Sequence, residues 1–351
     1  MSRDATDLAP ADLELDISPD GTPENPLLVI PLDDWAGKPP ERIERAAALL
    51  AGSLRLAVGV LRGPATPTLT PLLRAATLTL AEQADLTTVV DQPDPDAALE
   101  YLAEAVRRNP QASVALGRLL RQTTVPDATA GLGAEAAVYS MLLTGSEFQH
   151  WLAARGGPKT VDFPDSPLVR LDRDGDLLSV VLDHPQRRNA LSSRLREELL
   201  DAVRLAELDP SIGRVLLRGS GPVFCSGGDL DEFGRAVDVV AAYQVRLERA
   251  PWRVIDRLRD RVTAHVHGAA IGAGIEITAF AGRLVAAPDT YFRLPEIAMG
   301  LVPGAGGTVS IPRRIGRWRA AWMMLTGDRI DTATALRWNL IDAVADITTT
   351  T

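Results

Sequence analysis

Apolar and polar positions divide the chain into two stretches of alternating strand and helix, with a purely helical block between them. Residues 27–32 form a short buried-strand run, and residues 41–51 place Ile43, Ala47 and Leu50 at helical spacing. Residues 54–61 alternate into a second strand that closes on Arg62-Gly63-Pro64. A helix over 69–84 and a strand over 87–90 complete a small βαβαβ pattern. Three helices are predicted next. Asp94 is placed as an N-cap with Pro95 at the first helical position, ahead of Leu99, Leu102 and Val106. Asn109-Pro110 starts the second, with Val114, Leu116 and Leu120 on one face. Gly131 opens the third, which carries Ala136, Tyr139, Leu142, Leu143, Phe148 and Trp151, a stripe too wide and apolar for a free helix.

Beyond a Gly/Pro/Asp-containing linker the pattern restarts. Residues 169–172, 177–182 and 214–219 are strand-like, and a helix over 194–208 follows Ser192 or Ser193. Residues 262–266 and 283–286 are buried-strand candidates, each flanked by a glycine turn. Strand, glycine turn, helix, strand, repeated, indicates right-handed crossovers and mainly parallel pairing. The expected organisation is a flexible tail over 1–25, an α/β and helical region over 26–155, a linker over 156–167 and a main α/β core over 168–351.

Composition narrows the function classes. Hydrophobic content of 46% and charged content of 24% are ordinary for a soluble globular protein. A net charge of −9 argues against nucleic-acid and anionic-membrane partners, and the one basic cluster is Arg313, Arg314, Arg317 and Arg319. The single cysteine, Cys225, excludes an internal disulfide, and no Cys/His spacing suits a metal. The polar, acidic first sixteen residues are no signal peptide, and no apolar run approaches a membrane span, so a cytoplasmic location is expected.

The chemistry is concentrated between Phe224 and Thr308. Gly227-Gly228-Asp229 and Gly268 to Glu276 each follow a strand-like run and open a helix, and Leu294-Pro295-Glu296 precedes Pro303-Gly304-Ala305-Gly306-Gly307-Thr308. Small-residue turns at helix starts expose backbone N–H groups, and two of them can aim two donors at one oxygen. Two acids beyond them, Glu276 and Glu296, can move protons at the neighbouring carbons. Asp229 suits a helix-start acid, Cys225 a small buried group, and His265 and His267 alternate so that only one can face a site.

These pieces, together with His184-Pro185, Asn189-Ala190-Leu191, Val266-His267-Gly268 and Leu325-Thr326-Gly327-Asp328, occur in the order and at the spacing of the crotonase superfamily, the enoyl-CoA hydratase/isomerase family, which residues 168–345 resemble. The resemblance implies a spiral of ββα turns that binds an acyl-CoA thioester. The thioester oxygen would accept from the N–H groups of Gly228 and Ala273, Glu276 and Glu296 would be the acid/base pair, and Gly304 would hold the catalytic water. Substrate contacts would come from Arg187, Arg188, Ala190, Ser226, Gly227, Asp229, Leu230 and Gly272, with Arg187 or Arg188 on the CoA phosphates. No cofactor is implied beyond the coenzyme A of the substrate. The implied assembly is a homo-oligomer, a trimer or a hexamer built of trimers.

Two departures stand out. His267 occupies a position where asparagine is usual, and Ala273 interrupts the family's triple glycine. The family's several C-terminal helices are not matched after Ile341-Asp342. Residues 89–151 resemble that tail instead, so residues 27–155 look like a degenerate unit of the same fold. Syn hydration of a 2-enoyl-CoA is the leading expectation. Isomerisation, thioester hydrolysis, decarboxylation, cofactor-free oxygenation of an aryl-acetyl-CoA and non-catalytic CoA binding are the alternatives.

Overall fold

The computed structural model describes residues 8–83, 85–124, 127–160 and 162–347. The first sheet consists of β1 (Leu27–Pro31), β2 (Leu56–Leu61), β3 (Leu78–Ala81) and β4 (Val89–Asp91), in that order and all parallel. Helices α1 (Pro40–Gly52) and α2 (Thr70–Ala75) cover one face, burying Ile43, Leu50, Leu69 and Leu72 with Trp35. The predicted single helix over 69–84 is corrected here: it is a short helix followed by a strand. The run Leu78-Thr79-Leu80 is buried on both faces between β2 and β4. A continuous apolar run of this kind does not reveal its period.

The expected tail is corrected over its described part, residues 8–25; residues 1–7 lie outside the described residues. Leu13 is buried in the front core, Ser53 Oγ donates to Leu13 O (2.7 Å), and Arg55 donates to Asp12 O (2.7 Å) and Asn25 O (2.8 Å). Backbone acceptors anchor this stretch, and they leave no hydrophobic periodicity in the sequence.

Helices α3 (Pro95–Arg108), α4 (Pro110–Thr123), α5 (Ala128–Leu142) and α6 (Ser146–Arg155) follow. Asp94 caps α3, accepting from the amides of Asp96 (3.1 Å) and Ala97 (3.0 Å). The predicted third helix is two helices, broken at Gly145, whose amide returns to Leu142 O (2.9 Å). Its start is Asp127, which accepts from the amide of Thr129 (2.8 Å), rather than Gly131.

The second sheet has the order β13-β10-β8-β7-β6-β5, formed by β5 (Val169–Asp174), β6 (Leu177–Leu182), β7 (Arg214–Gly219), β8 (Val262–Val266), β10 (Arg283–Ala286) and β13 (Ala343–Val344). Only the β5–β6 hairpin is antiparallel. A small third sheet pairs β9 (Ala269–Ile271) with β11 (Tyr291–Arg293) in parallel, and β11 with β12 (Ile330–Asp331) antiparallel. Between strands lie α7 (Ser193–Leu208), α8 (Val239–Glu248), α9 (Pro251–Arg257), α10 (Ala273–Thr278), α11 (Gly307–Thr326) and α12 (Thr332–Arg337). The fold is α/β, with mainly parallel sheets.

One apolar core runs from β2 and β3 through α3–α6 to the second sheet. Polar contacts tie the same surfaces together. Asp91 accepts from Arg337 (2.9 Å) and from the indole of Trp338 (3.1 Å), and Tyr101 Oη donates to Asp328 (2.7 Å). The arginine cluster in α11 is used internally. Arg313 pairs with Asp256, Arg314 donates to Ala279 O, Arg317 to Ala76 O, and Arg319 to Val89 O. Arg317 and Arg319 dock α11 on the front region, while Arg313, paired with Asp256, stays exposed. Among the described residues no helix is long and apolar enough to cross a membrane.

Candidate active site

A cavity of about 500 Å³ opens between α10, α8, the segment after β7 and α5. Gly228, Ala273, Glu276, Glu296 and Gly304 all line it, so residues spread over 77 positions of sequence meet in one wall. Leu143, Leu191, Phe233, Val245 and Trp252 give it an apolar side.

The turns are built as follows. Cys225 bridges to Ala270, and the amide of Leu191 donates to Gly227 O (2.7 Å), which seats the 225–229 segment between two neighbours. Gly272 lies at φ 48°, and a Cβ there would stand 2.6 Å from Glu296 Oε1. Glycine is therefore required so that the carboxylate can pack on the backbone. Among the described residues, the amides of Gly228 and Ala273 donate to no other backbone group. Ala273 is the first residue of α10, where no intrahelical acceptor exists.

Two buried glutamates, Glu276 and Glu135, bond the start of α11, and the half-buried Glu296 lies close by. Glu276 Oε2 accepts from the amides of Ala305 (2.7 Å) and Gly307 (2.9 Å). Burial holds its carboxyl well above the usual carboxylate range, and the nearby Glu296 and Glu135 raise it further. Glu296 leaves Oε2 buried without a partner, and burial first and Glu135 second push its carboxyl up to about 8. Glu135 is raised to about 7 by burial, against the opposing effect of bonds from Thr308 and Gly306. A carboxyl raised by burial and a like charge holds its proton more tightly than a free one, which suits an acid/base role.

Several predicted contacts fall elsewhere. Arg187 is taken up internally, donating to Asp229 Oδ2 (3.1 Å), Asp229 Oδ1 (2.7 Å) and Asp231 Oδ2 (2.8 Å). Its guanidinium neutralises the buried Asp229, whose carboxylate would otherwise be left uncompensated, which leaves Arg187 less free for a phosphate than the sequence suggests. Arg188 is exposed, with a left-handed backbone (φ 54°) whose carbonyl accepts from the amide of Ser226 (3.0 Å). Asp229 lines the cavity, while Arg187, Arg188, Ala190, Ser226, Gly227, Leu230 and Gly272 do not. Cys225 is buried outside the cavity wall, and burial pushes its thiol up to about 12, an environment that disfavours the thiolate. His267 is buried and its Nε2 lies 2.8 Å from Gly221 O, a structural bond; His265 sits on β8 between Arg218 and Arg283.

Sequence reasoning missed three wall or near-wall residues. Tyr139 lines the cavity beside Gly304, where an added Cβ would stand 2.3 Å from the Tyr139 ring. Arg246, from α8, lies over that ring (3.7 Å) and donates to Gly304 O (2.7 Å). Glu135 does not line the cavity, but its carboxylate accepts from Gly306 and Thr308 in the loop behind the wall. Its signal was available, since it is the only charged residue in the 15 residues of α5.

The profile of the enoyl-CoA hydratase/isomerase family matches residues 172–348. A probable enoyl-CoA hydratase of Mycobacterium leprae is 34% identical over 47% of this chain and 63% of its own length. A probable mitochondrial enoyl-CoA hydratase of Dictyostelium discoideum is 31% identical over 54% of this chain and 68% of its own length. An enoyl-CoA hydratase structure from Mycobacterium smegmatis is 34% identical, over 51% of this chain and 70% of that one, with a TM-score of 0.48. The chain therefore spans about two thirds of these relatives, and the profile match falls on the half that holds both cavity glutamates and both glycine turns. On the profile match and these identities, the chain belongs to the enoyl-CoA hydratase/isomerase family, the crotonase superfamily.

Proposed function

We propose that this protein hydrates a 2-enoyl-CoA to the 3-hydroxyacyl-CoA, with Glu276 and Glu296 as the acid/base pair and the amides of Gly228 and Ala273 as the oxyanion hole. The observation that carries this reading is the meeting of two carboxyls of raised proton affinity with two uncommitted amides in one cavity. The thioester oxygen accepts from both amides as negative charge develops on it, and the α10 N-terminus adds its positive dipole end. One carboxylate takes a proton from a water held near Gly304 as that water attacks Cβ. The other, protonated, delivers a proton to Cα on the same face, so that hydrogen and hydroxyl are both accounted for. The hydratase names of the relatives support the same class of substrate. We propose further that residues 26–155 are a degenerate unit of the same fold whose helices cover the site of the second unit.

The test is loss of the enoyl-thioester absorbance with a panel of 2-enoyl-CoAs. Glu276→Gln and Glu296→Gln should each lower turnover about 10²- to 10⁴-fold, and the double variant little more, because the pair acts as a unit. Binding of a saturated acyl-CoA should persist. Near-normal hydration in either single variant would sink the mechanism and favour isomerisation or hydrolysis.

A further inference from the structure

Two glutamates from distant parts of the chain share, in alternation, the amides that open α11. Ala305 and Gly307 donate to Glu276, as described above, while Gly306 donates to Glu135 Oε1 (2.7 Å) and Thr308 to Glu135 Oε2 (2.9 Å). The Thr308 hydroxyl adds a third bond to Glu135 Oε2 (2.7 Å). No side chain local to this helix start caps it. Burying a carboxylate costs more than an ordinary helix cap returns, so capping alone is a poor reason for Glu135 to be there. The arrangement has a specific consequence for the site. Glu276 commits only Oε2 to amides and, among the described residues, accepts no hydrogen bond at Oε1, and the residue lines the cavity.

We infer that Glu135, supplied by the front helical region, is a positioning residue for the proton chemistry, clamping residues 306–308 so that the Glu276 carboxylate and Gly304 keep their places in the cavity wall. This rests on the hydration reading above. Tyr139, one turn further along α5, and Arg246, bonded to Gly304 O, hold the other end of the same loop. The charge on Glu135 also bears on its neighbours. It faces Glu276 from α10, Glu296 after β11, and Arg246 from α8, with Tyr139 on its own helix and Arg293 near Glu296. As a like charge it disfavours ionisation of both other glutamates.

The experiment uses the full chain with Glu135→Gln and, separately, Thr308→Val, a milder change that removes one donor. With a short 2-enoyl-CoA, Glu135→Gln should lower kcat about 10- to 100-fold, because loss of positioning is felt in the chemical step. The Kd for acetyl-CoA should stay within about threefold, since the oxyanion amides are untouched. The acid limb of kcat/KM should move to lower pH, because removing a like charge lets Glu276 ionise more readily. Thr308→Val should move kcat in the same direction by less than about tenfold. Titration of Glu276 by carboxyl-carbon NMR, assigned with Glu276→Gln, reads the coupling without turnover. If neither variant alters kcat or the Glu276 titration, the proposal is overturned. Activity lost only in proportion to folded protein, with an unmoved pH profile, would also overturn it and leave Glu135 a structural cap. If the wild type hydrates no thioester while Glu135→Gln still shifts the Glu276 titration, the hydration reading fails and the positioning role stands.

Discussion

The front sheet and the second sheet treat their turn amides in opposite ways. After β2, the amides of Arg62 and Gly63 both donate to the carboxylate of Asp33 (2.9 and 2.7 Å), so the turn is closed by its own protein. In the second region, the turn at Ala273 follows β9 and that at Gly228 lies in the loop after β7, and their amides donate to no other backbone group among the described residues. Parallel strands and glycine turns recur in both regions, and only one of them keeps its donors uncommitted. A binding turn is thus distinguished by what fails to answer its N–H groups, more than by its glycines. The front region contributes differently: it sends Tyr139 into the cavity wall and Glu135 behind it.

The sharpest way to break this comparison is to delete an open donor without disturbing the fold. Ala273 is the first residue of α10, a position that accepts proline because its N–H has no helical partner. Ala273→Pro should therefore lower kcat for 2-enoyl-CoA hydration about 10²- to 10³-fold while leaving the melting temperature nearly unchanged. Full activity in a folded variant would mean that no oxygen is bound there.

A second test uses the carboxyl cluster. Glu135 at about 7 and Glu296 at about 8 lie above the ordinary 4.5, and Glu276 is raised as well. The folded protein then keeps protons that the unfolded chain has lost, so the stability these groups contribute is full below their unfolded values and declines as pH rises through the folded ones. The urea midpoint should fall between about pH 5 and pH 8.5, and Glu296→Gln should flatten that slope. A midpoint that rises over this range would show that the three carboxyls are not protonated in the folded state.

The smallest effect is expected from the closed turn. Asp33→Ala strands two amides of the front sheet and should cost about 1–2 kcal/mol in chemical denaturation, with hydration kinetics unchanged. Loss of turnover without loss of stability would give the front turn a functional part that its geometry does not suggest.

Much of the second region was legible along the chain. Residues 177–182 and 214–219 are legible as strands, and Ser192 or Ser193 as the start of α7, because an alternating or apolar run bounded by turn residues is a local signal; the structure places the cap at Ser192. Glu276 and Glu296 were legible for a related reason, each lying beside a small-residue turn whose chemistry is written in neighbouring residues. The strand Leu78–Ala81 was hidden because burial on both faces erases periodicity. The break at Gly145 was hidden within a continuous apolar stripe.

What the sequence determined by itself is therefore the α/β alternation, the family and the two glutamates that line the cavity, all consequences of near-neighbour patterns. Only the tertiary structure decided which charges remain available to a ligand. Arg187 is committed to Asp229 and Asp231 from 42 and 44 positions away, and Glu135 meets Thr308 across 173. Such pairings depend on how helices and sheets pack, and no spacing along the chain encodes them. The same holds for Arg317 and Arg319, which resemble a basic patch in sequence and are consumed by carbonyls of the front sheet region. A buried charge must find its partner wherever the fold brings one, and that requirement acts through space.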